Sequence, residues 1–175
     1  HAPPFPFEEA KAQIETDLGR SLDTTFATFA TEPVAAASLS QVYFATLPNG
    51  LPVAVKVQRP GINTLIRSDL AILQAFARLA GRVNRVARDL RLSSAVQEFG
   101  RWTLKELDFE IEAHNAEVFR HNFTGWDDVI FPKVHWSHTT ARILTMQRVS
   151  GLRVSEVSDK VGPDVRRSAA TPRAQ

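Results

Sequence analysis

Residues 32–60 read EPVAAASLSQVYFATLPNGLPVAVKVQRP, and this stretch decides the fold. Its β-branched and aromatic run at 41–45 predicts a strand, the Pro-Asn-Gly at 48–50 predicts a turn, and 53–57 predicts the return strand. Lys56 interrupts this apolar return strand. A cation on a mostly dry sheet is unfavourable unless an anion meets it, and a phosphate or a carboxylate would serve.

A run of small residues precedes the predicted hairpin, at Ala35, Ala36, Ala37 and Ser38. Side chains of this size predict a loop whose backbone can approach a ligand closely. A small-residue loop, a strand, a turn and a strand that carries a lysine form the arrangement with which the N-lobe of a protein kinase holds nucleotide phosphates.

The composition is that of a soluble globular domain. The 175 residues are 43% hydrophobic and 23% charged, which is enough for one proper core. Cysteine is absent, so disulfides and thiolate metal sites are excluded. The net charge is +2 and the basic residues are scattered, so a nucleic-acid partner is not expected. Neither a signal peptide nor an apolar run long enough to cross a bilayer is visible in the sequence.

The remaining periodicity predicts an α+β fold with five antiparallel strands and long helices. We expect a kinase-like N-lobe over 1–156 and a disordered tail over 157–175. The further predicted elements are a helix at 7–18 that ends at Gly19, a strand at 26–29, a helix from 62 to about 86, a second long helix from Ser93-Ser94 to about 119, and a strand pair at 129–134 and 142–146.

The helix predicted from residue 62 carries one apolar stripe. A membrane surface or a partner could cover this stripe, but packing against the sheet is the expectation. The stripe consists of Ile62, Leu65, Ile66, Leu70, Leu73, Ala77 and Ala80.

The second predicted long helix carries the densest polar cluster. Asp108, Glu112 and Asn115 share one helical face, whereas Glu106 lies six residues before Glu112 and would point well away from it. Single carboxylates on a helix are usually solvated. For the set, combined with the isolated Lys56, we favour an ion pair between Lys56 and Glu112. The Asp-Phe-Glu at 108–110 is not a kinase Asp-Phe-Gly metal motif, since it lacks the glycine and lies inside a helical pattern.

Together these motifs resemble the UbiB family of atypical, kinase-like proteins. The residues that carry the resemblance are PVAAAS with Gln41-Val42-Tyr43, VAVKVQRP at 53–60, Glu106-Leu107-Asp108-Phe109 with Glu112 and Asn115, and Pro132-Lys133-Val134 with Leu144-Thr145-Met146. The similarity runs through roughly residues 2–156.

The resemblance implies a role for each matching position. Ala35, Ala36, Ala37 and Ser38 would replace the glycine-rich loop, and Lys56 would contact phosphates with Glu112 as its partner. Glu106 and Asp108 match the family's Glu-x-Asp motif, and Gln41 and Asn115 match further family positions. Met146 would be the gatekeeper residue, and the backbone from Gln147 to Val149 would contact adenine.

The resemblance also implies ATP or ADP as ligand and a link to isoprenoid-quinone lipid metabolism. Membrane lipid or quinone-biosynthesis proteins would be partners, and the location would be cytoplasmic or organellar, peripheral to a membrane. However, the chain contains neither an Asp-x-His-Pro-Gly-Asn catalytic loop nor a later Asp-Phe-Gly, and it begins after the family's Lys-x-Gly-Gln segment. The hinge also reads Gln147-Arg148 where Glu-Trp is usual.

Two functions therefore remain open from the sequence. The chain could be the ATP-binding N-lobe of a kinase or ATPase whose catalytic C-lobe, with its Mg²⁺, lies outside it, or a truncated, non-catalytic module that binds partners or lipid. In either case we expect no phosphotransfer by this chain alone, because that reaction needs positioned Mg²⁺.

Overall fold

The computed structural model describes residues 3–126 and 129–150, which form the predicted α+β fold around a five-stranded antiparallel sheet. The tail predicted at 157–175 lies outside the described residues. The strands are β1 (Thr28–Phe29), β2 (Ala35–Ala36), β3 (Ser40–Thr46), β4 (Pro52–Gln58) and β5 (Ile143–Gln147). The helices are α1 (Phe7–Leu18), α2 (Leu22–Thr25), α3 (Ile62–Val83), α4 (Arg85–Asp89), α5 (Leu92–Glu106) and α6 (Phe109–Asn122), and a 3₁₀ turn spans Trp136–His138.

β3 and β4 form the predicted hairpin, which lies at the centre of the sheet. β4 lies between β3 and β5, with Lys56 opposite Val42 on one side and Leu144 on the other. β1 and β2 both pair with the outer edge of β3, one near its end and one near its beginning. The outer edge of the sheet is therefore a strand interrupted between Phe29 and Ala35.

The fifth strand is not the one that the sequence predicts. The segment at 129–134 forms no strand, and only Val134 makes an isolated bridge, to Met146. Phe131 instead stacks on Phe119 of α6, with 6.2 Å between ring centroids. These aromatic contacts draw the segment away from the sheet, and the fifth strand is supplied by Ala35–Ala36.

The first predicted strand, 26–29, shortens to Thr28–Phe29 because the chain ahead of it folds into α2. The sequence has no periodic pattern over so short a helix. The predicted helix at 7–18 is confirmed as α1, and Gly19 ends it in the left-handed conformation at φ 66°.

The two faces of the sheet have different coverings. Val53, Val55 and Val57 of β4 are fully buried in a core that includes Ala10 and Ile14 of α1. Side chains alternate along a strand, so Lys56 points to the opposite face. On that face α6 contributes a second core, whose members are Phe109, Ala113, Val134 and Leu144, with Met146 packed against it.

The apolar stripe of α3 does not pack on the sheet, so that expectation is wrong. Of its members only Ile62 and Ala77 are buried, because α1 and α6 already cover the sheet and α3 packs against α5. Large apolar side chains of α3 are exposed, with Phe76 at 65% and Leu65 at 57% of their surface. Even so, none of the described helices is long and apolar enough to cross a membrane.

The second predicted long helix is two helices, α5 and α6, with a break at Leu107 and Asp108. The Gln58 side chain donates a hydrogen bond to the Leu107 carbonyl at 2.6 Å, and the Phe109 N–H donates to the Ala141 carbonyl at 2.9 Å. These tertiary contacts end the first helix. Asp108 then caps the second, since its side chain accepts a hydrogen bond from the Glu110 N–H at 3.0 Å.

The start of α5 also differs from the prediction. The residue that precedes its first turn is Arg91, in a left-handed conformation at φ 50°, and the Ser93-Ser94 pair lies inside the helix. Ser93 instead hydrogen-bonds Gln74 of α3 through its hydroxyl.

The cap gives a direct test of the helix break. We expect Asp108→Ala to lower the free energy of unfolding by about 1 kcal/mol, because the Glu110 N–H loses its acceptor. Asp108→Asn keeps an acceptor oxygen, so its free energy of unfolding should fall by only a few tenths of that amount. Urea unfolding of the two variants beside the parent chain measures the difference. Equal losses for the alanine and asparagine variants would contradict the capping role.

Candidate functional site

Lys56 and Glu112 form an ion pair where β4 faces the first turn of α6. The Lys56 Nζ lies 2.9 Å from Oε1 and 2.7 Å from Oε2 of Glu112, so both carboxylate oxygens accept from one ammonium. The Lys56 side chain is 25% exposed and that of Glu112 44% exposed. The pair is thus reachable from solvent. The position of Glu112 in the first turn also suits the positive end of the helix dipole.

Phe109 lies beneath this pair, and in the sequence it stands out only by its place in a family motif. The Lys56 Nζ lies 4.5 Å from the centroid of the Phe109 ring, within the range of a cation–π contact. Phe109 is buried and precedes Glu112 by three residues, so both lie on the face of α6 that meets the sheet. An aromatic residue three positions before the expected partner of the lysine is the signal that could have identified it.

The acidic residues of the family motif lie next to the ion pair. They line an open pocket of about 410 Å³ whose wall is formed by Trp102, Lys105, Glu106, Asp108, Ile111, Glu112 and Asn115. The expectation that Glu106 points away from Glu112 assumed one continuous helix. The break at Asp108 redirects the chain, so both carboxylates border the same space.

The alanine-rich segment is a tight hairpin rather than a plain loop. Ala35 and Ala36 pair with Val42 and Gln41 of β3, so the expectation of a loop is wrong for these two residues. The Ala37 N–H donates to the Ser40 carbonyl at 2.9 Å, which closes the turn. We call residues 35–40 the alanine hairpin. Its turn places small, exposed side chains at Ala37 and Ser38.

Gln41 is fully buried and lies away from the pocket. Its side-chain N–H donates to the Phe5 carbonyl at 3.3 Å, and its oxygen accepts from the Tyr43 hydroxyl. Burial raises the pKa of the Tyr43 hydroxyl, which keeps it protonated as a donor. The structure therefore places Gln41 as an anchor for the N-terminal segment.

The residues expected to face adenine lie at the end of β5. Met146 is opposite Ala54, two residues before Lys56, and is partly buried against the second core. The Gln147 N–H donates to the Lys133 carbonyl at 2.8 Å, and the Arg148 N–H donates to the Pro52 carbonyl at 3.1 Å. The backbone N–H groups of Gln147 and Arg148 are therefore already engaged within the fold.

Glu117 is a further residue that the sequence did not indicate. Its carboxylate accepts from the Val134 N–H at 3.1 Å and pairs with Arg120 at 2.8 Å. The hydrogen bonds from Arg120 and from the Val134 N–H hold the pKa of Glu117 below its usual value. Since Val134 bridges to Met146, Glu117 connects α6 to the end of β5.

Several known proteins are similar to this chain in sequence or in fold. The model of the ABC1 atypical kinase-like domain matches residues 1–168. A protein of Azotobacter vinelandii named probable protein kinase UbiB is 40% identical over 156 residues, and an uncharacterised protein of a Synechocystis species is 39% identical over 158. The solved complex of Mycobacterium tuberculosis Rv3197 with erythromycin has a TM-score of 0.78 and 25% identity to this chain.

The matches cover most of this chain but only part of the relatives. The matched region is 89% of this chain and 29% of the Azotobacter protein, and for the Synechocystis protein the shares are 88% and 28%. The match to Rv3197 covers 94% of this chain and 41% of the other. The chain therefore spans less than a third of the length of the curated relatives.

Glu117 gives a pH-dependent test of the link between α6 and β5. A carboxyl group whose pKa is lowered on folding adds stability above its unfolded pKa, and this stability is lost as the pH falls through the folded value. We expect Glu117→Gln to reduce the free energy of unfolding at pH 7 and the difference from the parent chain to shrink toward pH 3. Urea unfolding of both proteins at several pH values measures this difference in the free energy of unfolding.

Glu8→Gln is a suitable control, since Glu8 is an exposed residue of α1. A Glu117→Gln effect that is the same at pH 7 and pH 3 would contradict the ionic role.

Proposed function

The chain belongs to the ABC1 atypical kinase-like family, and from this premise we propose that it forms the ATP-binding N-lobe of a UbiB-type kinase or ATPase. The family's kinase-like name and the relatives named UbiB imply the use of a nucleotide. The observation that carries the proposal is the ion pair of Lys56 and Glu112, with an open polar pocket beside it.

The ammonium of Lys56 is suited to hold a phosphate. It has three N–H donors, and the two oxygens of Glu112 accept from it, so one donor can still be directed to an anion. The carboxylate and the Phe109 ring hold the ammonium in place before any ligand arrives. A preorganised cation of this kind binds phosphate oxygens without first losing side-chain freedom.

The alanine hairpin supplies the cover for the phosphates in this proposal. Its turn begins directly before β3, whose neighbour β4 carries Lys56. Alanine and serine side chains are small enough for the backbone to approach a ligand. The base of ATP or ADP would then lie toward Met146 and Val149, at the other end of the site. Gln147 would contribute its side chain or carbonyl rather than its N–H.

The pocket beside the ion pair has a polar wall of Glu106, Asp108 and Asn115. We propose that this wall faces the rest of the protein and its metal ion, since the family's catalytic loop has no counterpart in this sequence. Mg²⁺ would neutralise the developing charge on the phosphates. The part of this chain is to bind and orient the nucleotide, not to transfer the phosphoryl group.

The biological setting is proposed from the relatives alone. Their name UbiB suggests a connection to isoprenoid-quinone lipid metabolism. Membrane lipid or proteins of quinone synthesis would then be partners, with the protein peripheral to a membrane.

A second candidate function is a module that binds lipid or a partner without phosphotransfer. The exposed apolar side chains of α3 favour it, among them Leu65, Ile72, Phe76 and Val83. In this case the ion pair would only join α6 to the sheet. The two candidates differ in whether Lys56 matters for nucleotide binding.

The test is a nucleotide thermal-shift assay on the full-length protein with Lys56→Met. We expect ATP to raise the melting temperature of the parent protein and the substitution to weaken ATP affinity about tenfold or more, since a charge-assisted bond to phosphate is lost. Lys11→Met on α1 is the matched control and should keep the parent affinity.

No ATP-dependent shift in the parent protein, or an equal shift in Lys56→Met, would contradict the ATP-binding role. Either result would favour the second candidate.

A further inference from the structure

Arg59, directly after β4, contacts two segments that are distant from it in sequence. Its Nε donates to the Ser38 carbonyl at 2.9 Å, and its backbone N–H donates to the Leu39 carbonyl at 2.8 Å. Its Nη2 donates to the Pro3 carbonyl at 2.9 Å. One residue thus binds both the turn of the alanine hairpin and the N-terminal segment.

The N-terminal segment is also held in place by aromatic and amide contacts. The Arg59 guanidinium lies 5.2 Å from the centroid of the Phe5 ring, and Phe5 is buried. The carbonyl of Phe5 accepts from the side chain of Gln41. Residues 3–5 therefore form a fixed support on which the guanidinium rests.

The turn of the alanine hairpin has few means of holding its own position. Ala37, Ser38 and Leu39 are exposed. Their small or solvated side chains contribute little packing energy, so the hydrogen bonds to their backbone determine how ordered the turn is. Two of these bonds come from Arg59.

We propose that Arg59 is a positioning residue that fixes the alanine hairpin over the nucleotide phosphates. The inference rests on the proposed ATP-binding function and assigns a task within that site to a residue for which the sequence indicated no role. Arg59 does not act through its charge on the phosphates, because its guanidinium donors are directed at the carbonyls of Ser38 and Pro3. It acts by keeping the hairpin in its binding-competent arrangement.

The chemistry of the contacts requires arginine. A guanidinium presents its N–H donors in a rigid planar fork, so it can donate to two carbonyls from different segments while its face rests on an aromatic ring. A lysine carries one flexible ammonium and cannot reproduce this geometry. A hairpin that is ordered for only part of the time binds its ligand more weakly in proportion to that fraction.

The experiment compares Arg59→Gln and Arg59→Lys with the full-length parent protein, and uses Arg82→Gln, an exposed arginine of α3, as the matched control. Titration with a fluorescent ATP analogue gives the affinity, and amide hydrogen exchange reports the order of residues 37–40. We expect Arg59→Gln to weaken ATP affinity about tenfold, because the turn loses the guanidinium bond to the Ser38 carbonyl and its link to Pro3, while the backbone bond to Leu39 remains. Exchange at 37–40 should become faster, while the control changes neither quantity.

Arg59→Lys should have an intermediate affinity and exchange rate, and it serves as the test if Arg59→Gln does not fold. A lower melting temperature with unchanged affinity and unchanged exchange at 37–40 would show a merely structural role and overturn the proposal.

Lys56→Met, measured in parallel, separates the two proposals. If it weakens ATP binding while the Arg59 variants do not, only the positioning role fails. If neither residue affects affinity, the ATP-binding function fails, and with it the role of Arg59.

Discussion

The ion pair between Lys56 and Glu112 is the contact on which the geometry of the candidate site depends. The alternation of β4 buries three valines under α1 and points Lys56 to the other side. The carboxylate that meets that lysine lies in the first turn of a helix that begins close to it. The break between α5 and α6 provides this start. Gln58, two residues after Lys56 on the same strand, holds the carbonyl that ends α5.

This interaction serves orientation more than stability. Partly exposed ion pairs contribute on the order of 0–1 kcal/mol to folding, so removal of the pair should leave the fold intact. The larger contributions come from the buried clusters on the two sheet faces. An ammonium that is fixed by a carboxylate and an aromatic ring, yet open to solvent, is what a phosphate-binding lysine requires. At the alanine hairpin, too, orientation does not come from packing, because Arg59 orders a turn that has little packing of its own.

Local patterns were sufficient to predict α1, the β3–β4 hairpin and β5, since each has strong periodicity or turn chemistry within a few residues. They failed where tertiary contacts decide the outcome. The helix break at Asp108 requires acceptor and donor partners at Gln58 and Ala141, which no window around Asp108 contains. The apolar pattern at 129–134 is typical of a strand, but Phe131 packs on the aromatic rings of α6. The stripe of α3 was expected in the core, although both sheet faces were already covered.

Some residues of the candidate site could likewise be predicted from the sequence, and others could not. The partnership of Lys56 with Glu112 could be expected from an isolated charge on a strand together with the family resemblance. Glu117 and Arg59 could not, because each acts through contacts with residues more than 15 positions away. Phe109 could have been found only from its place three residues before Glu112, once Glu112 is taken as the partner of Lys56. Glu106 and Glu112 border one pocket only because the helix is broken between them.

The most direct measurement of the central claim is a double-mutant cycle for ATP affinity in the full-length protein, with Lys56→Met, Glu112→Gln and the combination. If the carboxylate acts by holding the ammonium on the phosphates, Glu112→Gln weakens binding in the parent background and has little further effect once Lys56 is replaced. We expect a coupling free energy of about 1–2 kcal/mol. Additive effects of the two substitutions, or no effect of either on ATP affinity, would contradict the proposed role of the pair.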